Sequence, residues 1–266
     1  MCVNYMGSKA KIADQICPII QRFIDSTSTK TYIEPFVGGA NVIDKIRCNR
    51  RIGSDTNRYL IELLKHAQSK CEFPDKITYE QYCSVRKEFN RDNCFGSLED
   101  WYIGAVGFLA SFNGRFFDGG YAKDCWSDGQ YREYYKEHLR NLLSQNLSGI
   151  DFYWRDYDYY SNSEYTGCVF YCDPPYAETK NYNMKFKFDT NEFFDFARNM
   201  SKNNIVLISE QDAPDDFNCI WAQDVQRQIN TSDKFMQTEK MFIHSSLHDR
   251  YDIDKIMHYG KERKLF

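Results

Sequence analysis

A short apolar run that ends at two consecutive prolines constrains the fold of this chain more than any other feature. The run is Val169–Cys172, and it is followed by Asp173, Pro174, Pro175 and Tyr176. Its β-branched and aromatic residues predict a buried strand, and proline, which has a fixed φ and no N–H, stops such a strand. In open α/β sheets, ligands bind just beyond the carboxyl ends of the strands. The sequence therefore predicts an α/β fold with a carboxylate, two fixed carbonyl groups and an aromatic ring at this edge.

The residues after this strand suit one kind of ligand. The carbonyl groups of Asp173 and Pro174 can accept the two N–H bonds of an exocyclic amino group, and Tyr176 can stack on the planar base that carries it. The alternative is a proline turn after a core strand, with an ordinary surface aspartate. For an isolated Asp-Pro-Pro-Tyr sequence the two interpretations have about equal weight. The rest of the chain decides between them.

Length, charge and cysteine content limit the class of protein. The 266 residues fit one large domain, or one domain with a sizeable insertion. The formal net charge of −4 argues against a uniformly basic nucleic-acid coat, although it allows a local basic face. The ten cysteines form no CxxC pair, so neither a zinc site nor a disulfide framework is predicted. With no recognisable signal peptide or long apolar span, we expect an intracellular, soluble and reduced protein.

Two turns near the start of the chain are candidate ligand sites. The segment Tyr5–Lys9 precedes apolar residues at helical spacing, and a helix N-terminus can hold a carboxylate or a phosphate. A capped surface helix with a solvated lysine is the interpretation that these residues alone favour. The second turn, Gly38–Asn41, lies between a predicted strand at Tyr32–Val37 and a predicted helix, as in nucleotide-binding doubly wound sheets. It lacks the GxGxxG and GxxxxGK[ST] patterns, which argues against a dinucleotide or a triphosphate.

Acidic residues end two further predicted strands. Asp55 follows the strand at 51–54, about 20 residues after the glycine turn, where an acidic residue binds ribose hydroxyls. It could instead cap the helix predicted at 58–66, with Asn57 close behind it. Asp156, followed by Tyr157, comes after the strand at 150–154 and could accept an adenine amino group at the same edge.

Residues 67–147 differ in pattern from the segments on either side. They predict helices at 79–89, 98–109 and 131–143 and no strong strand. Basic and aromatic residues interleaved here suit phosphate contacts and base stacking, although a charge-rich solvated face is the alternative. The loop at 111–121 is rich in rings and glycines, and such loops often serve a site.

The C-terminal part completes the predicted sheet. Residues 177–188 are polar and form a candidate lid over a bound base. A helix at 191–200 and a strand at 205–210 follow, and we expect residues 240–244 and 252–258 to form an antiparallel end to the sheet.

Taken in order, these motifs resemble the Dam-type (D12 class) DNA adenine-N6 methyltransferases over nearly the whole chain. The segments that carry the resemblance are Tyr5–Lys9, Tyr32–Gly39, Asp55–Asn57, Phe112–Arg115, Asp156–Tyr157, Asp173–Tyr176 and Glu239–His244. The Asp-Pro-Pro-Tyr tetrapeptide is specific in combination with the others, whereas the glycine turn alone is not. One departure is Ala40, which stands where many members have a second spaced glycine and adds a methyl group there.

The resemblance implies a fold, a methyl donor and an acceptor. The fold is a Rossmann-like class I methyltransferase: an α/β protein with a mixed sheet, an antiparallel C-terminal strand and a mainly helical inserted target-recognition domain. Residues 1–66 and 148–266 would form the catalytic domain, and residues 67–147 the insertion. The donor would be S-adenosyl-L-methionine, without a metal ion, and the acceptor N6 of an adenine flipped out of duplex DNA.

The resemblance also assigns roles to individual residues. The implied catalytic residues are Asp173, Pro174, Pro175 and Tyr176. The implied cofactor-binding residues are Tyr5, Lys9, Glu34, Phe36, Gly38, Gly39, Asp55, Asn57, Asp156, Tyr157 and Asp173. The implied DNA-binding residues are Asn113, Arg115, Lys123 and Tyr182. The expected partner is double-stranded DNA, with a restriction endonuclease as a candidate second partner, no membrane contact, a monomeric or dimeric state and a cytoplasmic location.

Two alternatives remain open at this point. The acceptor could be adenine N6 in RNA or cytosine N4 in DNA, although an aspartate before Pro-Pro-Tyr favours adenine and a helical insertion favours duplex DNA. The chain could also be a nucleic-acid-binding module without catalytic activity, although every residue that the chemistry needs is present.

Overall fold

A computed structural model describes residues 9–91, 98–127, 129–162, 165–175, 188–228 and 234–258 of the chain. The strands, numbered along the chain, are β1 (Thr31–Glu34), β2 (Arg50–Asp55), β3 (Cys125–Ser127), β4 (Gln130–Arg132), β5 (Ile150–Trp154), β6 (Val169–Cys172), β7 (Ile205–Glu210), β8 (Phe217–Gln228) and β9 (Lys234–His244). The α-helices are α1 (Ala13–Thr27), α2 (Arg58–Gln68), α3 (Tyr79–Phe89), α4 (Asp100–Gly104), α5 (Tyr134–Leu143), α6 (Thr190–Ser201) and α7 (Ile253–His258). Short 3₁₀ turns lie at Lys9–Lys11, Ile43–Lys45, Phe112–Gly114, Tyr157–Asn162 and Ser245–Leu247, and a π-helical segment lies at Ala105–Leu109.

Seven of these strands form one sheet in the order β5-β2-β1-β6-β7-β9-β8. Strand β6 runs parallel to both β1 and β7, with Tyr32 opposite Val169 and Phe170 opposite Val206. Strand β9 is antiparallel to β7 and β8, with Phe242 opposite Ile208. The predicted α/β fold, a Rossmann-like mixed sheet with an antiparallel C-terminal strand, is confirmed.

The two central strands owe their position to their composition. Every residue of β6 and of β7 is buried, as expected for parallel strands that are covered on both faces. Helix α6 begins after Asp189, whose Oδ1 accepts hydrogen bonds from the backbone N–H groups of Asn191 (2.8 Å) and Glu192 (3.2 Å). The helix buries one face that includes Phe193 and Met200.

The described residues fall into two compact units. The first comprises residues 9–15, 37–46 and 53–156, and its core includes Leu63, Ile77, Tyr82, Phe108 and Phe117. The second comprises residues 16–36, 47–52 and the described part of 157–266, and its core includes Phe23, Ile33, Phe170, Phe193 and Ile243. Residues 67–147 lie in the first unit, and their assignment as a separate target-recognition domain stays a prediction.

Helix α3 shows why some predicted bounds hold. It spans Tyr79–Phe89, as predicted, because a capping box starts it. The Gln81 N–H donates to Thr78 Oγ1 at 3.2 Å, and the Thr78 N–H donates to Gln81 Oε1 at 2.7 Å. Strands β5 and β7 also have their predicted bounds.

Two expectations within the first unit were wrong, and one feature there was not expected. The unexpected feature is a short antiparallel hairpin in residues 67–147, in which β3 pairs with β4 across Gly129, whose φ is 76°. Helix α5 therefore begins at Tyr134 instead of 131, since residues 130–132 belong to the hairpin. The helix expected after the glycine turn is only the single 3₁₀ turn Ile43–Lys45.

Three further differences concern the second unit. Strand β1 ends at Glu34, before Pro35, so the expected continuation to residue 37 is wrong. Strand β8 was not expected, although it pairs with β9 along nearly its full length. Residues 253–258 form helix α7 instead of an antiparallel strand. Among the described residues, no helix is both long enough and apolar enough to cross a membrane.

Candidate active site

The glycine loop, residues 37–42, follows β1 in the chain and has an unusual backbone. Gly38 and Ala40 have φ angles of 47° and 56°, in the left-handed region. The Ala40 N–H donates to the Val37 carbonyl at 2.9 Å, which closes the turn. An alanine in this region costs about 1 kcal/mol or more relative to glycine. Ala40, which stands where many members of the resembled family have glycine, therefore has a strained backbone. The surrounding hydrogen bonds must hold it in this conformation.

Asp55, at the end of β2, anchors this loop. Its Oδ2 accepts the Gly38 N–H at 3.2 Å, and its Oδ1 accepts the Asn57 N–H at 2.9 Å. The side chain is buried, and burial raises the pKa of Asp55 from 3.8 to about 6 against the opposing effect of the backbone N–H donors. The carboxylate of Asp156 adds a smaller increase to this pKa. Asp55 is thus a poorly solvated carboxylate that faces the start of the loop.

The other predicted contacts on this side have mixed outcomes. The helix cap considered for Asp55 belongs instead to Asn57, whose Oδ1 accepts the Leu60 N–H at 3.1 Å at the start of α2. Asp156 is exposed just beyond β5, and the neighbouring Arg155 N–H donates to the Asp55 carbonyl at 3.1 Å. The structure therefore brings Gly38, Asp55 and Asn57 into direct contact and leaves Asp156 at their edge.

The burial of Lys9 contradicts the interpretation that residues Tyr5–Lys9 alone favoured. Its side chain was expected to be solvated at the surface of a capped helix, whereas the residue is only 3% exposed. It lies in the 3₁₀ turn Lys9–Lys11, ahead of α1. Burying an ammonium group is expensive unless the group is paired, so this lysine has a specific environment. Tyr5, from the same motif, lies outside the described residues.

Glu34 occupies the second unit, where β1 ends. It is 2% exposed, and its Oε1 accepts a hydrogen bond from the Tyr32 hydroxyl at 2.6 Å. Burial, followed by the charge of Glu34, holds the pKa of Tyr32 well above its usual range, so the hydroxyl stays protonated and donates. Tyr32 was not among the predicted site residues. The i, i+2 spacing on a strand, which places two side chains on one face, could have indicated it.

The Asp-Pro-Pro segment follows β6 in the same unit. Asp173 and Pro175 are half-buried, and Pro174 is buried. The preceding Cys172 is completely buried, and burial raises the pKa of its thiol, with smaller contributions from the carboxylates of Asp173 and Glu34. Both carboxylates therefore act on the same thiol at the carboxyl ends of β1 and β6. Tyr176, the fourth residue of the motif, lies outside the described residues.

An aromatic cluster contains two of the predicted cofactor residues. The ring centroids of Phe36 and Tyr157 are 5.3 Å apart, with an interplanar angle of 30°. Both rings contact Phe193 of α6 with centroid distances of 5.7 Å. Each of the two residues is only half-buried.

The central loop, residues 111–121, carries two of the predicted DNA contacts. Asn113 has a φ of 56°, and its backbone N–H donates to the Tyr134 hydroxyl. The loop closes through a Phe112 N–H bond to the Gly120 carbonyl at 2.9 Å. Asn113 and Arg115 are exposed, as is Lys123 just beyond the loop. Tyr182 lies outside the described residues.

One contact to the glycine loop escaped the sequence analysis altogether. Gln145 Nε2 donates to the Gly39 carbonyl at 2.7 Å and to Asn41 Oδ1 at 2.9 Å. No local pattern around Gln145 signals this contact, since its partners lie more than a hundred positions earlier in the chain. The described ranges hold no group of three or more His, Cys, Asp or Glu residues that could bind a metal ion.

Comparisons with known proteins agree on one family. A family model described as D12 class N6 adenine-specific DNA methyltransferase matches residues 5–206. A DNA adenine methylase of Vibrio cholerae is 27% identical over 190 residues, which cover 66% of this chain and 64% of that protein. Modification methylase StsI of Streptococcus sanguinis is 24% identical over 68% of this chain and 29% of its own length. Type II methyltransferase M.FokI of Planomicrobium okeanokoites is 24% identical over 68% and 30%. The chain thus spans less than two thirds of the length of each of these relatives.

Proposed function

The chain belongs to the D12 class N6 adenine-specific DNA methyltransferase family, and we propose that it transfers a methyl group from S-adenosylmethionine to N6 of adenine in duplex DNA. One observation carries the proposal: Asp173 and Pro174 directly follow the buried strand β6, parallel to β1 with its buried Glu34. That edge of a parallel sheet is where α/β proteins bind ligands.

Asp55 fits the ribose of the methyl donor. Its oxygens accept the Gly38 and Asn57 N–H groups, with a weaker contribution from the Thr56 N–H, and a carboxylate has about four acceptor positions, so one remains for a ribose hydroxyl. The backbone at Gly38 has no side chain that would keep a ligand away. Asn57 uses its side-chain oxygen to cap α2 and its backbone N–H to bond Asp55, so its proposed contact is through the side-chain amide nitrogen.

The remaining cofactor contacts are proposed from chemistry. The half-buried rings of Phe36 and Tyr157 suit the faces of an adenine, and the exposed Asp156 suits its amino group. Tyr5, Lys9, Glu34 and Gly39 keep the roles that the family resemblance implies. When bound, S-adenosylmethionine supplies an electrophilic methyl group on a sulfonium.

Asp173 and Pro174 hold the acceptor in our proposal. Their oxygens accept the two N–H bonds of the adenine amino group, which shifts the nitrogen toward sp³ and frees its lone pair for the methyl group. In this proposal the Asp173 carboxylate receives the proton that this nitrogen loses. Because the amino group is paired and stacked in duplex DNA, the adenine must first be flipped out, and Tyr176 would stack on it. Pro175 fixes the backbone, and positioning and electrostatics provide most of the rate enhancement.

DNA contact is proposed for the exposed basic residues of the first unit. Arg115 in the central loop and Lys123 beside it suit backbone phosphates, Asn113 suits a base edge, and Tyr182 would stack near the flipped base. Two relatives are named as a modification methylase and a Type II methyltransferase. These names support a restriction endonuclease as a functional partner of this chain.

The test is a methyl-transfer assay. The protein is incubated with tritiated S-adenosylmethionine and mixed-sequence duplex DNA, which is then digested to nucleosides and separated. We expect the label in N6-methyldeoxyadenosine. Label in N4-methyldeoxycytidine would show that cytosine in DNA is the acceptor. Label in RNA but not in DNA would show that RNA is the acceptor. Absence of both transfer and cofactor binding would refute the proposed activity and leave a nucleic-acid-binding module.

A further inference from the structure

Gln145 lies just after α5 and contacts the glycine loop. Its Nε2 donates to the Gly39 carbonyl at 2.7 Å and to Asn41 Oδ1 at 2.9 Å. The orientation of the amide is set by chemistry, because the Gly39 carbonyl can only accept and must therefore face the nitrogen. The other side-chain atom, Oε1, is buried, and the described residues offer it no hydrogen-bond donor.

The glycine loop depends on such bonds more than an ordinary turn does. Two of its residues, Gly38 and Ala40, have left-handed backbones, and no α-helix follows that would fix their geometry. Gly39 and Asn41 are buried, so their polar groups need partners inside the protein. Gln145 supplies a donor to both of them. The bonds from Asp55 and from Gln145 thus hold the loop at its start and at its centre.

Helix α5 connects the same loop to the predicted DNA contacts. At the N-terminus of the helix, the Tyr134 hydroxyl accepts the Asn113 N–H of the central loop, and the Tyr134 N–H donates to Asp124 Oδ1 at 2.9 Å. In the middle of the helix, buried His138 hydrogen-bonds through Nδ1 to the Leu109 carbonyl at 3.2 Å. The C-terminal end of the helix is followed within two residues by Gln145.

From this connection we infer that Gln145 is a positioning residue that links DNA contact at the central loop to cofactor affinity at the glycine loop. The inference rests on the proposed function, since it needs a cofactor at one loop and DNA at the other. A DNA phosphate or base that engages Asn113 or Arg115 biases the position of Tyr134 and therefore of α5. Gln145 passes that bias to the Gly39 carbonyl. Thermodynamic linkage then requires that the cofactor tighten DNA binding by the same factor.

The experiment measures this factor in the 266-residue chain. The dissociation constant of S-adenosylhomocysteine, which cannot donate a methyl group, is measured by calorimetry with and without a saturating mixed-sequence DNA duplex. The decisive variant is Gln145→Leu, which keeps much of the side-chain volume and removes both donors. The matched control is Gln68→Leu in the same unit, because Gln68 Nε2 also donates to two acceptors, the carbonyls of Leu147 (2.6 Å) and Ile150 (2.8 Å).

We expect DNA to lower the dissociation constant of S-adenosylhomocysteine about fivefold or more in the wild type and in Gln68→Leu. This factor is within the usual range of coupling between sites. In Gln145→Leu the effect of DNA on this dissociation constant should fall to a factor of about one. In the absence of DNA, the dissociation constant should be roughly tenfold higher than in the wild type. In steady-state kinetics, KM for the methyl donor should rise more than kcat falls, which a general loss of stability would not produce.

Each other result decides against the inference. An unchanged factor in Gln145→Leu, an equal loss in Gln68→Leu, or a factor of one in the wild type overturns the link while leaving the proposed activity intact. A wild-type protein that binds no S-adenosylhomocysteine overturns the proposed function and the link together.

Discussion

Asp55→Asn should separate the binding role of this carboxylate from its effect on stability. Burial raises its pKa from 3.8 to about 6 in the folded protein. Each unit by which the pKa rises corresponds to about 1.4 kcal/mol. The buried charge therefore destabilises the folded protein by about 3 kcal/mol at pH 8. Asparagine removes that charge but can accept only one of the two backbone N–H groups, and leaving the other unsatisfied costs about 1–3 kcal/mol. We therefore expect the free energy of unfolding at pH 8 to change by less than about 2 kcal/mol.

Cofactor affinity should change much more. A hydrogen bond from a ribose hydroxyl to a carboxylate is worth about 1.5–3 kcal/mol, so the dissociation constant should rise at least about tenfold at pH 8. The ratio of the variant constant to the wild-type constant should shrink toward one at pH 5, because wild-type Asp55 is then protonated. The assay is calorimetric titration with S-adenosylhomocysteine at several pH values, beside urea unfolding.

The sign of the stability effect follows from the raised pKa. Between pH 4 and 6 the unfolded chain has released the Asp55 proton while the folded chain retains it, so the stability of the wild type relative to Asp55→Asn falls by about 3 kcal/mol and then stays level. Asp189→Asn is the matched control, since Asp189 also accepts two backbone N–H groups but is exposed. An unchanged dissociation constant in Asp55→Asn, or a ratio independent of pH, would refute the ribose assignment.

Three further substitutions test other parts of the structure. Asp173→Ala should abolish methyl transfer and change the cofactor dissociation constant less than about threefold, as its role is to hold the acceptor; unchanged turnover in the tritium assay would discard that role. Tyr32→Phe should lower the free energy of unfolding in urea by about 2–3 kcal/mol, and by more than Tyr82→Phe does. The reason is that the Tyr32 hydroxyl donates to a carboxylate, whereas the Tyr82 hydroxyl pairs with a neutral hydroxyl. Equal losses in the two variants would contradict this reasoning. Arg115→Ala should weaken DNA binding and lower the slope of log affinity against log salt by about one, and an unchanged slope would exclude a phosphate contact.

The sheet and the order of the motifs could be predicted because their signals are local. Continuous apolar runs identified β6 and β7, and a helical stretch at 79–89 identified α3. The hairpin β3–β4 and the strand β8 were missed, because their described side chains are mostly exposed or half-buried and lack the apolar pattern of a buried strand. Helix α7 was misassigned for a related reason, since it has only six residues and two buried ones.

The contacts within the site were less predictable than its location. Asp55, Gly38 and Asp173 could be named because each follows a strand and has a known kind of ligand. The burial of Lys9 and the bond from Gln145 to Gly39 could not, because they depend on segments that meet only after folding. The family resemblance rests on the order of short motifs along the chain, which gives no information on such side-chain partners.

Cys172 has a consequence for chemical labelling of this protein. Thiol reagents react with the thiolate, and this cysteine is completely buried with a raised pKa, so it stays protonated and out of their reach. Among the described residues, Cys71, Cys83, Cys125 and Cys219 are exposed. A maleimide dye should therefore modify the exposed cysteines and spare the residue beside Asp173. Oxidants should likewise leave Cys172 in its thiol form.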